Sequence, residues 1–229
     1  MDKTMYNKIE EYMLSFMTDS AHDSQHVYRV LYQSLAIAEE YDIDRGVLIT
    51  AALLHDIGRE AQFRNPQLDH ASVGAGMAYD FLKELGWPEE RAKHVRECIA
   101  THRYRAENPP ISMEAKILYD ADKLDVTGLL GISRTLIYIG IESEPLYNID
   151  LEGSVIKMDD EEPHSFFQEY HFKLKNIYDK LFTEKARAIA ESRRSAAESF
   201  YNSLYSEVVS THSTGLELLK RELDASGNK

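Results

Sequence analysis

The chain has 229 residues, of which 43% are hydrophobic, and its formal net charge at pH 7 is −13. This length and composition suit a globular domain with its own core, and the acidic surface disfavours nucleic-acid backbones and anionic membranes as partners. The single cysteine, Cys98, excludes an intrachain disulfide. With no secretory signal pattern and no apolar run near about 20 residues, the sequence predicts a soluble cytoplasmic protein.

Apolar residues recur at three- and four-residue spacings with little strand-like alternation, which predicts an all-α fold. A first helix is expected around residues 6–16, and a second begins near Ser24, a candidate N-cap. The third covers 47–54 after the candidate cap Asp44, and it is apolar on every side, as a central buried helix is. Further helices are predicted over 71–85 (between Asp69 and Gly86), from Pro88 to about His102, over Met113–Leu124, and over 127–139.

Residues 141–163 are rich in aspartate, glutamate and proline, which predicts a long acidic connection. Two interpretations stay open for it: a solvated loop, or a lid over a functional cleft. Amphipathic patterns within about 164–209 predict two long helices whose aromatic stripe belongs to a core. These helices are expected either to pack on the N-terminal core or to pair with a second subunit as a homodimer. The chain is predicted as one domain over 1–210, followed by an extension over 211–229 whose last four residues are disordered.

The buried third helix leads directly into His55 and Asp56, and Gly58 is predicted to end it in a left-handed conformation. A carboxylate buried beside an imidazole without a partner is unfavourable by several kcal/mol. Metal coordination offsets that cost, and the alternative is a plain His–Asp hydrogen bond. With His26 upstream and Asp122 downstream, the chain offers two imidazoles and two carboxylates, a ligand set for a divalent metal.

Three motifs occur in order: a histidine in "HDSQHVYRV", the pair in "LLHDIG", and an aspartate in "DADKLD". This arrangement resembles the HD superfamily of metal-dependent phosphohydrolases over residues 20–130. It continues through 128–135 in a way similar to small bacterial HD hydrolases, some of which are nucleotide pyrophosphohydrolases. The resemblance implies an HD-domain helical bundle with additional C-terminal helices. It also implies four metal ligands: His26, His55, Asp56 and Asp122.

Two further histidines, His70 and His102, resemble those that complete a second metal site in some HD enzymes, where Asp56 bridges the two ions and takes a catalytic role. In members with one metal, histidines at these positions face the substrate, and the choice stays open here. Mixed imidazole and carboxylate ligands favour Mn, Fe, Co, Ni or Zn over Mg, while Mg remains an option at a second site.

Cationic residues near the motifs are candidates for binding substrate phosphates. Lys123, inside the third motif, is the first choice, and Arg59 follows the His-Asp pair. Arg29 and Arg103 are further candidates. Glu60 is a candidate general base, although some HD nucleotidases place a glutamate one residue earlier.

Three aspartates near the ligands have other predicted roles. Asp125 lies one helical turn after Asp122 and is expected to contact a metal-ligating side chain without binding the metal itself. Asp120 is expected to point away from them. Asp23 is a candidate for orienting His26 or His22.

The sequence therefore predicts a metal-dependent phosphohydrolase acting on a small phosphate compound. A nucleotide is the expected substrate, with a triphosphate cleaved to monophosphate and pyrophosphate. The alternatives are a phosphodiesterase or 5′-nucleotidase of the same fold, a (p)ppGpp-type hydrolase, or a sensor that binds a metal or ligand without turnover. Because a fold does not determine a substrate, the sequence leaves these alternatives open.

Overall fold

The computed structural model describes residues 1–17, 24–104, 108–157 and 164–226. Within them the chain is almost wholly helical, as predicted, with one small antiparallel hairpin. The α-helices are α1 Lys3–Leu14, α2 Ser24–Ile37, α3 Arg45–Leu54, α4 Arg59–Arg64, α5 His70–Glu84, α6 Glu89–Thr101, α7 Met113–Leu124, α8 Gly128–Glu142, α9 Phe166–Phe172 and α10 Glu184–Ser226. The short 3-10 segments are Ala38–Glu40 and Leu174–Lys180, and the hairpin pairs β1 Asn148–Ile149 with β2 Val155–Ile156.

The chain clusters into two compact units, Met1–Asp125 with Leu181–Ile189, and Val126–Lys180 with Ala190–Lys229.

Among the described residues, no single helix is long and apolar enough to cross a membrane. In the described part of the chain, α7 and α8 reach that length and apolarity as a pair, but the pair is bent by 72° at its break.

Helix α3 is the centre of the first unit, because α1, α2, α6 and α7 all pack against it. Its apolar side chains from Val47 to Leu54 are buried except that of Ile49, which is partly exposed, and this confirms the predicted core helix. Full burial of each leucine contributes about 1.5–3 kcal/mol. The Asp44 carboxylate accepts hydrogen bonds from the amides of Gly46 and Val47, so the predicted N-cap is also confirmed.

The predicted role of Gly58 is wrong. Its φ and ψ are −83° and −3°, which is right-handed, and α3 already ends at Leu54 with His55 as C-cap. A Cβ on Gly58 would lie 2.3 Å from the carbonyl oxygen of His70 and 2.6 Å from the amide nitrogen of Gly74. The glycine is therefore needed because the backbone of α5 passes directly against this turn.

Other helix boundaries in the first unit agree with the sequence prediction, whereas the prediction of the first of the two long C-terminal helices is wrong, since α9 has seven residues and is followed by a 3-10 segment. The Asp69 side chain caps α5 by accepting from the amide of Ser72, and Gly86 follows that helix with φ of +77°. Helix α7 covers Met113–Leu124, as predicted. The short α4 was not predicted, because six residues carry too little periodicity to be recognised.

The second unit has its own apolar core, formed by side chains from α8, α9, α10 and the 3-10 segment between the last two helices. Phe166 and Phe167 are fully buried there, and the rings of Tyr170 and Tyr201 stack with centroids 3.9 Å apart. The aromatic stripe is thus core, as predicted. The acidic connection contains the β1–β2 hairpin, and residues 158–163 lie outside the described residues, so the lid remains a prediction.

We expect Gly58→Ala to lower the free energy of unfolding by roughly 1–3 kcal/mol, because the new methyl group meets backbone atoms that cannot move independently. Gly76→Ala in α5 is the matched control, since a Cβ there has nothing within 4 Å and alanine favours helix by roughly 0.5–1 kcal/mol. Urea unfolding in the presence of a chelator measures both variants. Equal stability of the two variants would contradict the close approach.

Candidate metal centre

Five helix ends meet at one buried cluster of ionisable side chains in the first unit. The members are His26 in the first turn of α2, His55 and Asp56 directly after α3, His70 at the start of α5, His102 directly after α6, and Asp122 in the last turn of α7. All four histidines and Asp56 are at most 5% exposed. Polar groups buried to this extent require partners that compensate for the lost water.

The Asp56 carboxylate lies between two pairs of imidazoles. Its Oδ2 is 3.4 Å from Nε2 of His26 and 3.5 Å from Nε2 of His55. Its Oδ1 is 3.4 Å from Nε2 of His70 and 3.6 Å from Nε2 of His102. On the first side, Oδ1 of Asp122 completes the group, 3.5 Å from Nε2 of His26.

Every imidazole in the cluster is held through its Nδ1. The acceptors are Asp125 Oδ2 for His26 at 2.7 Å, the Ala52 carbonyl for His55 at 2.8 Å, Gln62 Oε1 for His70 at 2.6 Å, and the Ile99 carbonyl for His102 at 2.7 Å. Carbonyl and carboxylate oxygens only accept, so Nδ1 carries the proton in each ring. Each Nε2 therefore presents a lone pair to the centre.

Inside the cluster, hydrogen-bond acceptor atoms therefore face one another with no hydrogen between them. Nε2 of His26 and Nε2 of His55 are 3.4 Å apart, and Asp56 Oδ1 and Nε2 of both His70 and His102 are buried with no hydrogen-bond partner among the described residues. Ligands about 2.1 Å from a tetrahedral metal stand about 3.4 Å from each other, close to the spacings seen here. The donor set therefore fits divalent metal ions, with one group formed by His26, His55 and Asp56 and another by Asp56, His70 and His102.

The charge states also suit metal binding, which requires neutral imidazoles and ionised carboxylates. Burial lowers the pKa of His55 and that of His70 to about 4, so both rings are neutral at pH 7. Burial alone would raise the pKa of Asp56, but the Arg59 cation and the surrounding histidines hold it well below its usual range. Lys123 and the histidines likewise overcome burial and lower the pKa of Asp122.

Three cationic side chains lie at the rim of the cluster, each partly exposed. Arg59 Nε is 2.5 Å from Asp56 Oδ2, and Lys123 Nζ is 2.8 Å from Asp122 Oδ2. Arg103 Nη1 is 3.1 Å from Asp69 Oδ1. Each of these three cations is thus paired with a carboxylate.

Two further carboxylates form their contacts outside the cluster, which for Asp120 confirms the prediction. Glu60 is partly exposed and forms an ion pair with Arg64 one turn later on α4. Asp120 is fully buried and accepts hydrogen bonds from the Phe182 and Thr183 amides, at 2.8 Å and 2.7 Å, and from the Thr183 hydroxyl. Asp23 and His22 lie outside the described residues. The general-base role of Glu60 stays a prediction without a contact to the cluster among the described residues.

Two residues hold cluster histidines through hydrogen bonds to Nδ1, and the sequence predicted only one of them. Asp125 was expected to support the ligands, and it contacts His26 directly. No motif in the sequence points to the second, Gln62. It precedes His70 by eight residues and lies on α4, so only the recognition of that short helix would have pointed to it.

Comparison with known proteins identifies the family. Residues 23–127 match the HD domain model. The chain is 30% identical to YpgQ of Bacillus subtilis over 207 residues, which are 88% of this chain and 92% of YpgQ. This chain belongs to the HD-domain family. The matched range contains His26, the His-Asp pair and the "DADKLD" motif, and the protein is a metal-dependent hydrolase.

Solved HD-domain structures agree with this assignment. The crystal structure of B. subtilis YpgQ in complex with ADP has a TM-score of 0.69 at 26% identity, covering 89% of this chain and 97% of that one. An HD-superfamily hydrolase from Bacillus thuringiensis has a TM-score of 0.68 at 27% identity, covering 90% and 97%. A shorter match, 30% identical over 115 residues, is to the 3′–5′ exoribonuclease YhaM of B. subtilis, of which it covers 37%.

We expect a divalent metal such as Mn²⁺ to raise the melting temperature of the wild-type HD domain. The stabilisation is about 2.7 kcal/mol at a free metal concentration 100-fold above Kd. His55→Ala should lose most of this metal-dependent shift. His94→Ala is the control, because His94 contacts Ser112 and Glu114 away from the cluster and should keep the shift. Scanning calorimetry with metal and with chelator measures the difference. A full shift in His55→Ala would remove that residue from the metal centre.

Proposed function

We propose that this HD-domain hydrolase cleaves nucleotides at a metal centre, converting a triphosphate to a monophosphate and pyrophosphate. His26, His55, Asp56 and Asp122 would hold a first divalent metal, and Asp56, His70 and His102 would hold a second. The observation that carries this proposal is the Asp56 carboxylate, buried between two imidazole pairs that offer only lone pairs to it.

The donor chemistry favours Mn, Fe, Co, Ni or Zn at the first position, since Mg prefers oxygen ligands. A bound divalent metal supplies Lewis-acid activation of water and of a phosphoryl oxygen, which removes the need for a protein nucleophile. Asp56 directs one carboxylate oxygen toward each histidine pair. The Nδ1 hydrogen bonds hold the four rings in place before substrate arrives, which lowers the cost of organising the centre.

The rim cations provide the anion-binding part of the centre. Arg59 and Lys123 keep part of their surface exposed while contacting Asp56 and Asp122. The net charge of −13 repels an anionic substrate at long range, so local cations must provide the attraction. These two side chains bind the phosphates that do not react and orient the one that does.

The choice of a nucleotide rests on a relative. YpgQ, aligned over 89% of this chain, was crystallised with ADP. A second candidate, phosphodiester hydrolysis of RNA, is favoured by the local likeness to YhaM. That match covers 37% of YhaM, and an acidic surface opposes the binding of a polyanion, so a free nucleotide is the stronger assignment.

A substrate panel tests this assignment. Nucleoside tri-, di- and monophosphates, an aryl phosphate and a short RNA are each assayed with Mn²⁺, Co²⁺, Ni²⁺ and Mg²⁺, and phosphate and pyrophosphate are measured separately. We expect equimolar pyrophosphate and monophosphate from triphosphates, and no turnover by Asp56→Ala. Phosphate release from monophosphates alone would instead indicate a 5′-nucleotidase. RNA shortening alone would indicate a nuclease, and binding without turnover would indicate a sensor.

Lys123→Ala should reduce kcat/KM for a triphosphate by roughly 10–100-fold, the effect of losing a hydrogen bond to a charged group. Hydrolysis of an aryl phosphate should fall much less, because it lacks the additional phosphates. Lys116→Ala, two turns earlier on α7, is the matched control and should leave both rates unchanged. An equal loss on both substrates would mean that Lys123 acts through Asp122 and does not contact the nucleotide.

A further inference from the structure

We propose that residues hydrogen-bonded to the ligating histidines make the affinities of the two metal positions more unequal than the additional ligand Asp122 alone would, with Asp125 strengthening the first position and Gln62 leaving the second one weaker. Both are positioning residues, since each acts through a histidine. This inference rests on the two-metal centre of the proposed function. It concerns how that centre is loaded with metal and is independent of the substrate.

The first position has one more carboxylate, Asp122, whereas the histidine pairs of the two positions are built alike except in one respect. Each has one imidazole whose Nδ1 donates to the main-chain carbonyl three residues earlier: His55 to Ala52 and His102 to Ile99. Each also has one imidazole whose Nδ1 donates to a side chain. At the first position this acceptor is the carboxylate of Asp125, and at the second it is the neutral amide of Gln62.

Asp125 is 0% exposed and directly follows α7, three residues after Asp122. Its Oδ2 accepts from His26 Nδ1 at 2.7 Å, while Arg29 donates through Nε to Oδ1 at 2.8 Å and through Nη2 to Oδ2 at 3.1 Å. The Arg29 cation favours the ionised form of this buried carboxylate and fixes its orientation. A carboxylate that accepts a hydrogen bond from Nδ1 makes the imidazole a stronger electron donor to a metal at Nε2.

The environment of His70 has the opposite character. The Gln62 amide oxygen, 2.6 Å from His70 Nδ1, carries no net charge. Arg103 Nη1, which is paired with Asp69, lies 3.4 Å from the same Nδ1; both nitrogens carry hydrogens, so this contact is not a hydrogen bond, and it places a positive charge beside the ring. A nearby cation withdraws electron density from the ring and opposes a second cation at Nε2. His70 is therefore the weaker donor of the two side-chain-tethered histidines.

Metal titration in the absence of substrate tests the proposal. Metal-free full-length protein is titrated with Mn²⁺, and free Mn²⁺ is measured by electron paramagnetic resonance. Wild type should show two classes of site, one Mn²⁺ in each. His55→Ala should remove the tight class and His102→Ala the weak class, which assigns them. Asp125→Asn should weaken the tight class by roughly 10–100-fold and leave the weak class unchanged.

Gln62→Glu is the decisive variant, because it gives the second position the carboxylate that the first one has. It should tighten the weak class by roughly 10-fold, within the range of such outer contacts. A gain in affinity cannot result from damage to the fold, so this variant separates positioning from a structural role. Asp125→Glu, which retains a carboxylate, should recover part of the affinity lost in Asp125→Asn, and melting in chelator checks that each variant is folded.

The outcomes distinguish this inference from the proposed function. Two classes that Asp125→Asn and Gln62→Glu leave unchanged would overturn the inference while the two-metal centre stands. A wild type that binds a single Mn²⁺ would overturn the second metal position and this inference together. Two classes that respond as expected in a protein that hydrolyses no nucleotide would overturn the substrate assignment and support the inference.

Discussion

The Asp56 carboxylate is buried with one oxygen directed to His26 and His55 and the other to His70 and His102. All of these atoms are acceptors, so the cluster is unfavourable in a dry interior unless a cation lies among them. The apolar burial of α3, which ends directly before the cluster, offsets part of this cost and holds the pair in position. The rest of the first unit can be understood as the framework that keeps these groups close together.

That framework depends on backbone proximity as much as on side chains. Gly58 and Gly74 allow α5 to pass against the turn that follows α3, and this contact brings Nε2 of His70 to 3.4 Å from Asp56. The histidines at the ends of α3 and α6 donate to carbonyls of their own last turns, so each ring satisfies its helix end and presents Nε2 inward. At these two histidines the helix terminus therefore sets both the direction of the ring and which of its nitrogens carries the hydrogen.

Membership of the HD-domain family accounts for the metal-dependent hydrolase chemistry, whereas specificity depends on what surrounds the ligands. Arg59 and Lys123 place positive charge at the rim of a chain whose net charge is −13. The second unit contributes a separate aromatic core around Phe166 and Phe167. Because one fold supports many substrates, membership of the family does not by itself define a particular activity.

The sequence by itself determined the helical class, the α3 core helix, most helix boundaries and the three motifs, because periodicity, capping residues and motif order are local properties. The grouping of the histidines about Asp56 was only an expectation from resemblance, since distances between residues far apart in sequence follow from packing. Tertiary structure alone decided the role of Gly58, whose requirement comes from the α5 backbone and not from its own φ. It also revealed Gln62 behind His70, because that contact depends on the short helix α4, which carries no recognisable periodic signal.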